Sequence, residues 1–225
     1  MANAATRDTL HAPRFLAIGV HLHAADILGI EGITPLAIGD LTMSTIEVAH
    51  GQSLSTRPLL LETARLRHEL LTHETFVAVR YGFAVTSAEE AESKSRVHFE
   101  LWRRALTTYR GMVEMTMKVA ATSTVERPDR HDFTSGADYL RALHVARAAA
   151  TIDEEFRDAA QHELERAARM RWNRRDATSV ELALLVARAE VYAIREGGER
   201  LKRAFPHVAF LLSGPWPLEV FADGE

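Results

Sequence analysis

Phe76-Val77-Ala78-Val79, then Arg80-Tyr81-Gly82-Phe83, and later Met112-Val113-Glu114-Met115-Thr116-Met117-Lys118-Val119 frame the stretch that decides the fold. The first run is β-branched and aromatic, which predicts a short strand. Gly82 stands where the backbone needs a positive φ on leaving it. Ser87-Ala88-Glu89-Glu90 is a capping box, its serine oxygen set to accept the Glu90 amide. Ala91, Ser95, Phe99, Trp102, Leu106 and Tyr109 then recur at helical spacing, and Gly111 ends the run. In the last segment Val113, Met115, Met117 and Val119 fall on one face, opposed by Glu114, Thr116 and Lys118, so a strand is predicted. Strand, helix and strand of this length predict two parallel strands joined by a right-handed crossover. Nothing in the stretch is a catalytic signature; it reads as scaffold.

Working outward, Arg14 to Val20 predicts the first strand, and Gly29, Gly32 and Pro35 punctuate a loop or short helical turn over Asp26 to Pro35. Leu36 to Ile38 and Leu41 to Val48 read as a hairpin about Gly39-Asp40. Pro58 opens a helix with Leu59, Leu60, Ala64, Leu66, Leu70 and Leu71 as its apolar face, ending near His73. The result is an α+β sandwich of ferredoxin-like character over residues 14–120.

Composition shifts over Ala120 to Phe133, where large apolar side chains are few, so residues 121–134 are expected to be a linker and residues 135–225 a second α+β domain. Ser135-Gly136-Ala137-Asp138 and Thr151-Ile152-Asp153-Glu154 are further capping patterns. Ile152, Phe156, Ala159, Ala160, Leu164, Ala167 and Met170 keep a helical period for about five turns. The two alanine-rich segments form one bent helix or a helical hairpin. Val180 to Val186 is expected to be a strand, Glu190 to Phe205 a helix weakened by Gly197-Gly198, and Val208 to Leu212 a last buried strand. Ser213-Gly214-Pro215-Trp216-Pro217 turns the chain before Leu218 to Phe221 closes it.

A 225-residue chain with 47% hydrophobic and 26% charged residues has the composition of a globular protein with a sizeable core. A net charge of -4 argues against a nucleic-acid binder held by bulk positive charge. The absence of cysteine excludes disulfides, thiolate metal sites and a cysteine nucleophile. No run approaches the roughly 20 apolar residues that span a bilayer, and Met1 to Pro13 lacks the apolar core of a secretory signal. A cytoplasmic location without membrane contact is expected.

Few side chains suggest chemistry. His21 and His23 share a strand face and raise a metal-binding or small-enzyme alternative, but a convincing site needs further ligands. His68 and His73 are five apart, a poor match to the four-residue helical ligand spacing. Arg166, Arg169, Arg171, Arg174 and Arg175, with Trp172 among them, suggest a basic helix end, which suits the helix dipole and is balanced by acids earlier in the segment. Arg80 either anchors a partner carboxylate or pairs with Glu114 on a neighbouring strand; the second is preferred. Gly214-Pro215-Trp216-Pro217 is either a rigid turn whose indole covers a sheet edge or a docking surface; the turn is preferred. There is no phosphate loop, nucleophile elbow or paired-carboxylate motif, so no enzyme activity and no cofactor are expected.

Three stretches in one order carry a resemblance: Val79-Arg80-Tyr81-Gly82-Phe83 with the helix and strand through Val119, Ser135-Gly136-Ala137-Asp138-Tyr139-Leu140, and Leu212-Ser213-Gly214-Pro215-Trp216-Pro217. Together they resemble the GvpF/GvpL family of gas vesicle accessory proteins, over roughly Phe15 to Ala222. The resemblance implies a ferredoxin-like first domain, a second domain of paired helices with a small sheet, and a non-enzymatic role at the gas vesicle. It implies contact with the small hydrophobic shell protein of GvpA type and with other accessory proteins. Arg80, Tyr81, Gly82, Phe83, Gly214, Pro215, Trp216, Pro217 and Phe221 are its candidate partner-contact or structural residues. Leu218, Glu219 and Val220 depart from the family's usual Pro-Tyr and small polar residue, as do Ala78 and Tyr81 from its proline and phenylalanine.

Overall fold

The structure, a computed structural model, describes residues 13–22, 29–121, 128–149, 151–174 and 179–222. Among these the chain forms nine strands and six α-helices in two compact units. One unit is Met1–Gly111 with Trp216–Glu225; the other is Met112–Pro215. The second unit thus begins at Met112, ahead of the linker expected at 121–134, and the last residues belong to the first unit.

The first unit holds β1 (Arg14–Leu22), β2 (Thr34–Ile38), β3 (Leu41–Val48), α1 (Arg57–His73), β4 (Phe76–Ala78), β5 (Ala84–Val85), α2 (Ala88–Ser95) and α3 (Phe99–Thr108). Its sheet runs β2-β3-β1-β4, with β5 paired to β1. All these pairings are antiparallel. The β2–β3 hairpin expected about Gly39-Asp40 forms, with Ile38 opposite Leu41. The register of β1 on β3 shifts between Ala17 and Gly19. The helix expected from Ala91 to Tyr109 breaks at 96–98, because α2 packs on β2 and β5 while α3 packs on β1 and β4.

The second unit holds β6 (Met112–Ala120), α4 (Gly136–Ala149), α5 (Glu154–Leu164), β7 (Ala168–Arg174), β8 (Ser179–Ala187), α6 (Val191–Ala204) and β9 (Phe210–Trp216). Its sheet runs β7-β8-β6-β9. β8 is antiparallel to both β6 and β7. The Ala120 amide donates to the Ala209 carbonyl at 2.9 Å and the Ser213 hydroxyl to the Thr116 carbonyl at 3.3 Å, so β9 also runs antiparallel to β6. The parallel crossover expected from Phe76 to Val119 therefore does not form: β4 and β6 lie in different sheets. β6 finds its partner instead in β8, which pairs with it residue for residue from Val113–Val186 to Val119–Val180 and is apolar throughout but for Glu181 opposite Lys118.

Val113, Met115, Met117, Val119, Leu182, Leu184 and Val186 are buried along this face. Phe156 of α5 completes the core, edge-on to Phe205 at 5.5 Å and tilted to Phe210 at 5.2 Å. Gly197 and Gly198 do more than weaken α6. A Cβ at Gly197 would lie 2.9 Å from Leu164 Cδ2, and one at Gly198 2.7 Å from Leu212 Cδ2, so the pair lets α6 press against α5 and β9. The long helix expected to reach Met170 ends at Leu164. Arg169 and Arg171 alternate with Met170 and Trp172, a period of two that pairs with β8. The arginines expected at a helix end are thus on or beside a strand, and Arg175 lies outside the described residues. The cap of α5 is Asp153, which accepts the Phe156 amide at 2.9 Å, and not Thr151.

Candidate functional site

Two segments carry the candidate residues. The first is the turn between β4 and β5. Gly82 has φ +93°, where a side chain would be strained, and the Phe83 amide donates to the Arg80 carbonyl at 3.2 Å. The Phe83 carbonyl accepts from the Ala17 amide at 2.8 Å, and the Tyr81 hydroxyl donates to the Leu54 carbonyl. Tyr81, Gly82 and Phe83 thus hold the turn against β1 and the segment before α1. Arg80 is exposed. It follows a strand of the first sheet while Glu114 belongs to the second, so the expected cross-strand pair is not a feature of either sheet.

Arg67 takes the buttressing role that Arg80 was expected to fill. It reaches from α1 to donate to the Ile18 carbonyl at 3.0 Å and to the Val79 carbonyl. These carbonyls lie at the register shift of β1 and just past the end of β4. Burial pulls the Arg67 guanidinium below its ordinary pKa, and the charge of Glu219 works against that shift.

The second segment is the C-terminal turn. Gly214 has φ +119°, and a Cβ there would lie 3.0 Å from the Glu114 carbonyl oxygen and 3.1 Å from Met115 Cα. Both observations require glycine. The Gly214–Pro215 peptide is cis, and Arg195 of α6 donates to the Gly214 carbonyl at 2.9 Å. Trp216 is 49% exposed, so it covers a sheet edge only in part. Leu218 is the residue that closes an edge. Fully buried, it bridges in parallel to Val77, donates to the Phe76 carbonyl at 2.9 Å and accepts the Ala78 amide at 3.1 Å. Phe221 packs edge-on to Tyr109, with centroids 6.5 Å apart.

Leu218 therefore seats the tail on β4, the strand that leads into Arg80–Phe83, while Phe221 seats it on Tyr109. Gly214 and Pro215 belong to the second unit. Leu218, Arg67 and Arg195 escape a sequence search: each makes contacts distant in sequence, and none carries a local motif.

His21 is engaged within the sheet. Its Nδ1 faces the Leu22 carbonyl at 2.7 Å and must carry the proton, leaving Nε2 to accept from the Ser44 hydroxyl at 2.9 Å in the neutral ring. His21 and Ser44 are 1% and 0% exposed, so this serine–histidine pair has no access to a substrate. His23 lies outside the described residues. Among the described residues no group of three or more His, Asp or Glu could hold a metal ion, and no helix is long and apolar enough to cross a membrane.

Two antiparallel sheets with their helices define an α+β protein of two units. The chain belongs to the GvpL/GvpF family: the family model described as gas vesicle synthesis protein GvpL/GvpF matches residues 21–222. Two solved structures share the fold. The gas vesicle protein GvpF from Anabaena sp. PCC7120 is 14% identical, with a TM-score of 0.66, covering 94% of this chain and 98% of that one. GvpF from Microcystis aeruginosa is 14% identical, with a TM-score of 0.66, covering 94% and 99%. Among curated proteins none matches the chain.

Proposed function

We propose that this chain binds the small hydrophobic shell subunit of the gas vesicle and supports assembly of the wall, acting by binding and not by catalysis. The family match over residues 21–222 carries this reading. Half-exposed Trp216 supports it, because a large indole held by a fixed backbone is the kind of side chain that anchors interfaces. The other candidate contacts are Arg80, Tyr81, Gly82, Phe83, Pro217 and Phe221 within the first unit, and Gly214 and Pro215 within the second. The protein acts at the gas vesicle in this reading, with other accessory proteins as further partners. The finer fold reading is that the first unit is ferredoxin-like, a variant of the split β-α-β arrangement, and the second a helical hairpin with a small sheet. The strand order β2-β3-β1-β4 supports the first part.

Co-expression of the full chain with the shell protein encoded beside it, followed by pull-down on this chain, tests the proposal. Soluble shell subunit should be recovered, and Trp216→Ala should lower its affinity at least about tenfold. Recovery of other vesicle proteins without the shell subunit, or of none, overturns it.

A further inference from the structure

β7 ends the second sheet, and among the described residues no strand pairs with its outer edge. Arg169 and Arg171 project from one face of it and are exposed, while Met170 and Trp172 project from the other and are half-buried. Arg166, just before the strand, is exposed as well. Arg157 of α5 lies over the Trp172 ring, its guanidinium carbon 5.6 Å from the centroid. The edge is therefore a backbone ladder with exposed arginines along one side and, along the other, Met170 and the Trp172 ring that the Arg157 guanidinium overlies.

We infer that the outer edge of β7 docks an extended segment of another protein in which acidic and apolar residues alternate. An added strand has the same period of two, so its alternate side chains fall beside the arginines and beside Met170 and Trp172. Opposite charges across neighbouring strands attract, and apolar side chains meet the other face. A second copy of β7 does not suit this edge, because two arginine-bearing strands would set like charges side by side. The first unit treats an edge in the same way, seating Leu218 against β4 through backbone hydrogen bonds. β7 lies at the opposite edge of its sheet from β9, which carries Trp216, so this surface goes beyond the shell-binding reading and stands without it.

The test is fluorescence anisotropy of a labelled, end-capped peptide of about nine residues alternating glutamate and valine, added to the full chain at about 50 mM salt. The peptide should bind. Combined Arg169→Glu and Arg171→Glu should weaken binding at least about tenfold, with Arg169→Gln and Arg171→Gln weakening it less. Methylation of alternate peptide nitrogens should also weaken it, since strand addition uses the backbone. Unchanged thermal unfolding of the glutamine variant keeps folding loss apart from binding loss. Equal binding of the methylated or a scrambled peptide, preference for a single-stranded oligonucleotide, or no binding at all would each overturn the inference.

Discussion

The two sheets have the same strand order and reach it by different means. In each, a hairpin of the second and third strands pairs through the third with the first, and a helical crossover delivers the fourth strand to the far side of the first. The second sheet is regular: β6 and β8 pair through nine consecutive positions without a shift. The first sheet is irregular. β1 breaks register at Ile18, Gly19 lets Phe76 lie against the strand, and Arg67 ties down the Ile18 carbonyl. The β6–β8 ladder stays in step over its whole length, whereas the first sheet needs particular residues where its register breaks.

The largest expected effect tests whether the two units are separate in stability. Phe156 is fully buried between Phe205 and Phe210, so Phe156→Ala should destabilise the second unit by about 3–5 kcal/mol. Hydrogen exchange should then rise in β6, β8 and β9 and stay unchanged in β1 and β3. An equal rise in both sheets would mean that they unfold together.

Next comes Gly19→Val. A Cβ at Gly19 would lie 2.3 Å from Phe76 Cδ2 and 2.9 Å from the Val77 carbonyl oxygen, and the backbone oxygen cannot move cheaply. Overpacking of this kind should cost about 1–3 kcal/mol by urea unfolding. Thr116→Val on the regular β6, a strand position that is only half-buried, should change stability by less than about 0.5 kcal/mol. Similar losses from both would remove the contrast between the sheets.

Arg67→Met should cost about 1–3 kcal/mol, because the Ile18 and Val79 carbonyls lose a donor in a partly buried site. Arg67→Lys should recover only part of this, since one ammonium does not reproduce the guanidinium fork. Full rescue by lysine, or no loss with methionine, would show that the register shift holds itself.

The same contrast explains what was legible in the sequence. β6 and the β2–β3 hairpin follow from alternation and turn residues, β8 from an apolar segment set between two helical stretches, and Gly82 and Gly214 stand where only glycine suits the backbone. The partner of β6 was not legible, because β8 lies some sixty residues on and any apolar run suits its pattern. β7 was lost inside a helical period that Leu164 and Ala167 happen to continue, although the alternation of Arg169 to Trp172 was there to see. Among the candidate residues Tyr81, Gly82, Phe83 and Gly214 stand in local motifs that a sequence displays, whereas the residues that tie their segments down do not. Arg67 and Arg195 are two arginines among many, and Leu218 stood as a departure from the family pattern when it is the residue that closes β4.

The smallest effect compares one helix cap from each unit. In the first, Ser87 accepts the Glu90 amide at 3.2 Å as the capping box requires, but the Glu90 carboxylate reaches the Thr86 amide and hydroxyl, at 2.6 and 2.7 Å, and not the Ser87 amide. Lys94 first, then Thr86, hold Glu90 down at about 2 from its ordinary 4.5. In the second, the Phe156 amide and then His207 lower Asp153 from its ordinary 3.8. Both folded-state pKa values lie below the unfolded ones, so each contribution is present above the ordinary carboxylate pKa and fades as pH falls through the folded value. For Glu90 that window runs from 4.5 down to about 2. Carboxyl chemical shifts between pH 6 and pH 2 should place the Glu90 midpoint well below that of a free glutamate, and Glu90→Gln should flatten the acid dependence of exchange at the α2 amides alone. Because Glu90 sits at the surface, the stability change should be small and shrink in salt. An ordinary midpoint for Glu90 beside a depressed one for Asp153 would confine the charge-locked cap to the regular unit.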